Sequence, residues 1–432
     1  MESKEDIIDI PKWMRLDNAA TIYPYTITKK YAATFRLSIT LNEKIDVIIL
    51  KKALKKVLKR IPSFSYRIRK GLFWYYLSYL EGAPDILEDI RNPMCNSHFK
   101  DNKHFMFKVR YHGSRIAIEI FHSLTDGMGA ITFLLTLTSE YLKLKYKINI
   151  PNNSFILNTK EKPKKEEFED SFKKVARNRG KLEKEKPAYH VSGIQEEGHI
   201  VNIITGKIPI DNLKSVSKKY NCTITEFLAA IMILSIQEIQ EKEKSKRRRN
   251  KPIKLSIPVN LRPFYNSKTL RNFSSYVNVG IDSQYGHYSL EEIIIQVKNQ
   301  MGMMITEKKL NAKLTGNVKI ENNKLIGIIP AFIKKYILSI GEKMMGDRYC
   351  SSNLSNLGNI SLPNEMVPYL LDMNVMVGRS KGKPNSAACI GYNNNLYISF
   401  SRKIKEPITE KLFFTKLVEM NIPVEIESNQ GR

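Results

Sequence analysis

Cysteine is scarce in this 432-residue chain: Cys95, Cys222, Cys350 and Cys389 are the only four, and no two form a C-x-x-C pair. That spacing argues against a disulfide framework and a zinc cluster, and it fits a reducing compartment. Glycine and proline, at 21 and 18 residues, are too few for collagen-like or low-complexity architecture. Long apolar runs are missing. The longest uncharged one, Phe227 to Ile236, is half of the roughly 20 residues that a membrane span needs. The opening MESKEDIIDIPKW is acidic where a secretory leader would be basic and then apolar. The expectation is a soluble, cytoplasmic protein without a transmembrane segment.

Acidic charge is the other shortage. Asp and Glu number 43 against 70 Lys and Arg, a formal net charge of +27. A field of that sign favours anionic partners: nucleic acid, acidic lipid, an acidic carrier protein, or a phosphate-bearing molecule such as coenzyme A. An AT-rich coding composition, visible as an excess of Lys over Arg with abundant Ile and Asn, accounts for the same charge. No helix-turn-helix, zinc-finger or RNP-like pattern supports nucleic acid. The basic run Lys242 to Lys251 (KEKSKRRRNK) reads either as a solvated loop or as a landing patch for coenzyme A phosphates or an acidic carrier. What the chain does have is core material: 42% of residues are hydrophobic, enough for a sizeable interior and too many for wholesale disorder.

Length alone allows about three domains or two larger ones. Strand-like and helix-like stretches alternate through the first part. Phe35 to Leu41 alternates as a strand, and Val47 to Leu58 repeats apolar residues at helical spacing before Pro62. Gly71 to Leu80 reads as an aromatic-rich strand, its Phe73-Trp74-Tyr75-Tyr76 as core. Phe105 to Tyr111 and Arg115 to Phe121 read as a hairpin, and Gly129 to Tyr146 as a helix. From Asn158 to Lys186 charges of both signs replace apolar residues, as in a linker or a solvated helix. The resulting division is 1–157, a charged linker over 158–190, and 191–432. In the last part, Val201 to Ile208, Lys254 to Val259 and Tyr276 to Ile281 read as strands. Asp211 to Tyr220 and Thr225 to Gln240 read as helices, the second capped by Thr223 or Thr225. Tyr349 to Leu354, Asn374 to Val377, Ser386 to Tyr392 and Leu396 to Ser401 form a late β-rich region, and Glu410 to Met420 a closing helix. The mix predicts an α/β fold of two similar sandwiches without the βαβ rhythm of a Rossmann sheet.

The sharpest chemical feature is Arg115 to Ala130, RIAIEIFHSLTDGMGA. A strand runs into His122, and three residues later Asp126-Gly127 opens a helix. Asp126 is placed to cap that helix, and Gly127 and Gly129 permit a tight path. A histidine at the end of a buried strand presents its imidazole at a sheet edge, with an ordinary pKa of about 6.5 that suits a base near neutrality. The plain alternative is a strand-to-helix turn with a packed His122. The remaining histidines, His98, His104, His112, His190, His199 and His287, have no metal-ligand spacing and read as surface or loop residues.

His122 to Gly127, H-x-x-x-D-G, resembles the signature of the acyltransferase superfamily with the chloramphenicol acetyltransferase fold, which includes BAHD enzymes, condensation domains and wax ester synthases. The resemblance extends along nearly the whole chain. Trp13-Met14-Arg15-Leu16-Asp17-Asn18-Ala19-Ala20, Arg60-Ile61-Pro62 and Gly71 to Tyr76 are similar to the bacterial alcohol acetyltransferase-like branch. Pro258-Val259-Asn260-Leu261-Arg262-Pro263, Arg271-Asn272-Phe273 and Ser355-Asn356-Leu357-Gly358 match C-terminal landmarks of the superfamily, whereas the plant DFGWG element is missing.

The resemblance implies two chloramphenicol acetyltransferase-like α/β domains with an active-site tunnel between them. It makes His122 the general base, with Asp126, Gly127 and Arg262 supporting the catalytic loop through an Asp126–Arg262 pair. Ser355 and Asn356 become candidates for the tunnel wall or the oxyanion. It implies neither a metal, a bound cofactor, nor a covalent intermediate. The reaction it implies moves a short acyl group, acetyl first among them, from acyl-coenzyme A to a small alcohol or amine. Two alternatives stay open: a stand-alone condensation-type enzyme fed by an acidic acyl carrier protein, and a non-catalytic scaffold or polyanion-binding protein on the same fold.

Overall fold

The computed structural model describes residues 9–28, 32–94, 99–177, 180, 185–198, 200–334, 347–380 and 382–430. Cys95, His98 and His199 lie outside them. The first 157 residues supply most of a five-stranded sheet, in spatial order Leu370–Val377, Thr34–Leu41, Arg115–Phe121, Phe107–His112 and Ile86–Glu88. Alternation decides its faces. Leu37, Ile39, Ile116, Ile118 and Ile120 are buried, and two helices close over the sheet. Val47–Arg60 is capped by Asp46, whose side chain accepts from the Ile48 and Ile49 amides. Gly127–Tyr146 is buried on nearly every side from Gly129 to Leu142, as an apolar stretch without polar periodicity requires. Phe133 stacks on Phe64 there, ring centroids 4.0 Å apart. A fully buried side chain of this size contributes roughly 1.5–3 kcal/mol.

The second half builds a seven-stranded sheet, ordered Ser274–Ile281, Ile253–Asn260, Ser352–Asn359, Asn385–Tyr392, Asn395–Arg402, Asn202–Pro209 and Glu425–Ser428. Its central helix, Ile224–Glu241, begins with a capping box between Thr223 and Glu226. Leu290–Met304 and Ile408–Glu419 belong to the same core. One strand leaves this half. Leu370–Val377 pairs antiparallel with Thr34–Leu41, Met373 opposite Ile39, and its Leu370, Met373 and Val375 join the first core.

Two readings are corrected. Part of the charged stretch 158–190 is packed rather than solvated: Phe168 and Phe172 are buried, and Glu167 receives both Arg60 guanidinium nitrogens at 2.6 and 2.7 Å in a buried pair. The aromatic cluster is not all core. Only Tyr75–Tyr79 is strand, in a small sheet between Trp13–Arg15 and Tyr66–Lys70, while Phe73 and Trp74 are exposed in the turn before it.

Candidate active site

Arg115–Phe121 ends one residue before His122, whose amide donates to Ala33 O at 2.8 Å. The imidazole is clamped between aromatic rings: Tyr23 stacks on it with centroids 4.8 Å apart and Phe35 tilts against it at 5.0 Å. Its Nδ1 lies 3.2 Å from Oδ1 of Asn272. Nδ2 of Asn272 in turn donates to Oδ2 of Asp17 at 3.3 Å. A carboxylate accepts only, so the amide must present its NH2 to Asp17 and its oxygen to the ring. His122 then carries its proton on Nδ1, leaving the Nε2 lone pair for a substrate. Burial pushes the imidazole pKa below its ordinary 6.5, with the Asp126 charge, its own carbonyl and Asn272 opposing in part. The ring is therefore neutral at neutral pH.

Asp17 is wholly enclosed. Burial lifts its carboxyl to about 6, against the attraction of Arg271, whose Nε lies 3.6 Å away. Arg271 also donates to Arg15 O and Phe168 O, at 2.7 and 3.2 Å, fixing the chain around the site.

Asp126 faces a different set of donors. It caps the Gly127–Tyr146 helix through the Met128 and Gly129 amides and takes the Phe273 amide at 2.8 Å. Arg262 closes on it as a fork, Nη1 to Oδ2 at 2.9 Å and Nη2 to Oδ1 at 3.0 Å. The same guanidinium donates to Thr269 O and Arg271 O. With five donors the carboxylate is held below the usual range despite burial, and none of its contacts is to the His122 ring. The glycines sit where there is no room for a side chain. A Cβ on Gly129 would come within 2.1 Å of Thr125 Oγ1 and 2.3 Å of Leu270 O, and one on Gly127 within 2.5 Å of a Leu357 methyl.

His122 opens into a cavity of about 710 Å³ between the two halves. Tyr23 and Trp74 line it from the first half; Ser256, Ser274, Asn353 and Ser386 supply polar groups from the second. Arg379 and an ion pair between Lys383 and Asp347, Nζ to Oδ1 at 3.3 Å, are on the same wall. Ser355 and Asn356 do not line this cavity. Alternation along Ser352–Asn359 separates them: Ser355 is on the face of Asn353, whereas Asn356 turns away and donates to Thr225 Oγ1 at 2.9 Å. The tunnel role of Asn356 is thereby corrected. No residue of the basic run Lys242 to Lys251 lines the cavity, and Arg248 is engaged by Glu243 and Ser192. Among the other described histidines, His104, His112 and His287 are exposed. His190 is half-buried with Nε2 at 3.0 Å from both Asp347 O and Cys350 O. Among the described residues no cluster of His, Cys, Asp and Glu is arranged to hold a metal ion.

Asp17, Tyr23 and Asn272 are the site residues that sequence reading passed over. Asp17 and Asn272 stood inside the quoted landmarks, without a role; Tyr23 carried no signal.

The two-part α/β fold, with a histidine at the cavity between its halves, is that of the chloramphenicol acetyltransferase-like proteins. More narrowly, residues 167–383 match the alcohol acetyltransferase family model, and the chain belongs to that family of O-acyltransferases. No curated protein matches it by sequence. Among solved structures it is similar to TRI101 of F. graminearum complexed with coenzyme A and deoxynivalenol (TM-score 0.63, 7% identity, 97% of this chain and 100% of that one). It is similar also to polyketide synthase associated protein 5 from Mycobacterium tuberculosis (0.58, 13%, 94% and 96%). A third is the starter condensation domain of rhizomide synthetase (0.59, 10%, 95% and 95%). At these identities the likeness is one of fold.

Proposed function

We propose that the protein transfers a short acyl group, acetyl in the first instance, from coenzyme A to an alcohol, with Nε2 of His122 as general base. The observation that carries this reading is the Asp17–Asn272–His122 alignment, which supports a neutral imidazole with its free lone pair toward the cavity. Nε2 takes the hydroxyl proton as the alcohol oxygen attacks the thioester carbonyl. The tetrahedral intermediate collapses with cleavage of the C–S bond, and the imidazolium returns its proton to the departing thiolate, so that ester and free thiol leave together. Lys383 and Arg379 suit the phosphates of the donor. Asp126, Gly127 and Arg262 support the loop that aims His122 and take no part in proton transfer.

The test is thiol release from acetyl-, butyryl- and longer-chain coenzyme A, each with pooled alcohols and amines. Acceptor-dependent release, highest with acetyl or butyryl donors and with alcohols, is expected. Release only from an acyl group loaded on a carrier protein would replace this donor with the carrier. No release from any thioester would leave a binding protein on this fold.

A further inference from the structure

Two segments far apart in sequence meet at the wall of the cavity. Ala331 N donates to Leu72 O at 2.8 Å, and the Lys334 ammonium donates to Phe73 O at 3.0 Å while standing 3.2 Å above the Trp74 ring. The turn 71–74 and the segment 324–334 thus form one surface. It is unusually apolar: Leu72, Leu325 and Ile328 are 70%, 73% and 70% exposed, and Phe332 is 62% exposed. Contiguous exposure of large aliphatic and aromatic side chains marks an interaction surface. The patch continues inward, because Trp74, Ile326 and Ile329 also line the cavity that holds His122.

The charge around it selects the partner. In the small sheet, Arg15 is registered opposite Tyr76 and Tyr76 opposite Arg69. Arg15 and Tyr76 of this row, with Trp13, border a second hollow of about 630 Å³ shared by Trp74, Glu321 and Lys324. Lys12, Arg15, Arg69, Lys70 and Lys324 are all exposed. Two copies meeting through this face would oppose these cations, so the partner is anionic as well as apolar. Protruding Leu, Ile and Phe with Trp, Tyr and basic groups behind them match the layering of an acyl–headgroup boundary.

We propose that this face docks on an anionic lipid bilayer and turns the cavity mouth toward it, so that a hydrophobic alcohol enters from the membrane. The acceptor part rests on the acyl-transfer reading above; the docking part does not.

The full-length protein is floated with vesicles of phosphatidylcholine alone and of phosphatidylcholine with one quarter phosphatidylglycerol. Roughly tenfold more binding to the anionic vesicles is expected, falling steeply with salt. Leu72→Ser with Ile328→Ser and Phe332→Ser, and separately Arg69→Glu with Lys70→Glu, each lower that binding by roughly tenfold. These side chains do not line the His122 cavity, so thiol release with a short water-soluble alcohol stays at the native rate, while release with a long-chain alcohol carried in the vesicles drops. Equal binding to both vesicles, no binding, or native-like binding by both variants overturns the docking surface, as does capture by an acidic protein alone. Vesicle binding that responds to the variants without turnover of any alcohol upholds the surface and removes the acyl-transfer reading instead.

Discussion

Nδ1 of His122 and Oδ1 of Asn272 lie 3.2 Å apart across 150 residues of sequence, and this contact decides which ring nitrogen is left to react. Asn272→Ala removes the acceptor that favours the charged ring, so the imidazole pKa falls further below its ordinary value. Activity requires the neutral ring and rises with pH through that pKa. The acid limb of kcat/KM is therefore expected below pH 6.5 in the native protein and lower still in the variant. With the tautomer no longer held, kcat drops by roughly ten- to a hundredfold with little change in KM. A pH profile of both proteins checks the direction as well as the size.

Asp17, the far end of that chain, carries a burial cost that depends on pH. Its carboxyl rises from 3.8 to about 6 on folding. The native state therefore holds this proton more tightly than the unfolded chain does. The resulting stabilisation is full below 3.8 and lost as pH rises through about 6, at most about 3 kcal/mol. Asp17→Asn stays neutral throughout. Relative to the native protein its urea midpoint is expected to improve from pH 4 to pH 7; a constant difference would argue against the buried charge.

The Asp126–Arg262 fork calls for a comparison of two substitutions. Arg262→Ala leaves a buried carboxylate without its cation, which costs about 3–5 kcal/mol. Arg262→Lys restores the charge but not the paired geometry or the bonds to Thr269 O and Arg271 O. It should recover much of the thermal stability and less of the thiol-release rate, because the loop that aims His122 is no longer clamped on both sides.

Gly129→Ala tests the close approach of the loop to Leu270. The added methyl has no free space on either side, and overpacking of this kind costs typically about 1–3 kcal/mol. Reduced stability together with reduced turnover is expected; an active variant of native stability would mean that the loop yields easily.

Local pattern carried much of this. Alternation identified Arg115–Phe121 and its continuation into His122, and the apolar period identified Val47–Arg60 to within two residues. The strand at Asn374 to Val377 was legible as a strand, but its partner was not. Nothing in its alternation points to Thr34–Leu41, over 300 residues away. The helices Leu290–Met304 and Glu307–Glu321 went unread. The first hides behind the β-branched run Ile293-Ile294-Ile295, although Ser289 and Glu292 spell a capping box; the second is largely polar. At the site, His122 and Asp126 share one short motif and are visible together. Asp17, Tyr23 and Asn272 reach the ring from separate segments, and only tertiary packing shows that they converge. Glu167 was concealed by its charged surroundings, since the buried partner that justifies it, Arg60, is 107 residues away.

The most direct test of the central claim is the initial rate of acceptor-dependent thiol release from acetyl-coenzyme A by the native protein and by His122→Ala, at one acceptor concentration and pH 7.5. With His122 as the base, the variant folds as the native protein does and loses roughly a hundredfold to ten-thousandfold in rate. A folded His122→Ala protein that releases thiol at the native rate would contradict it.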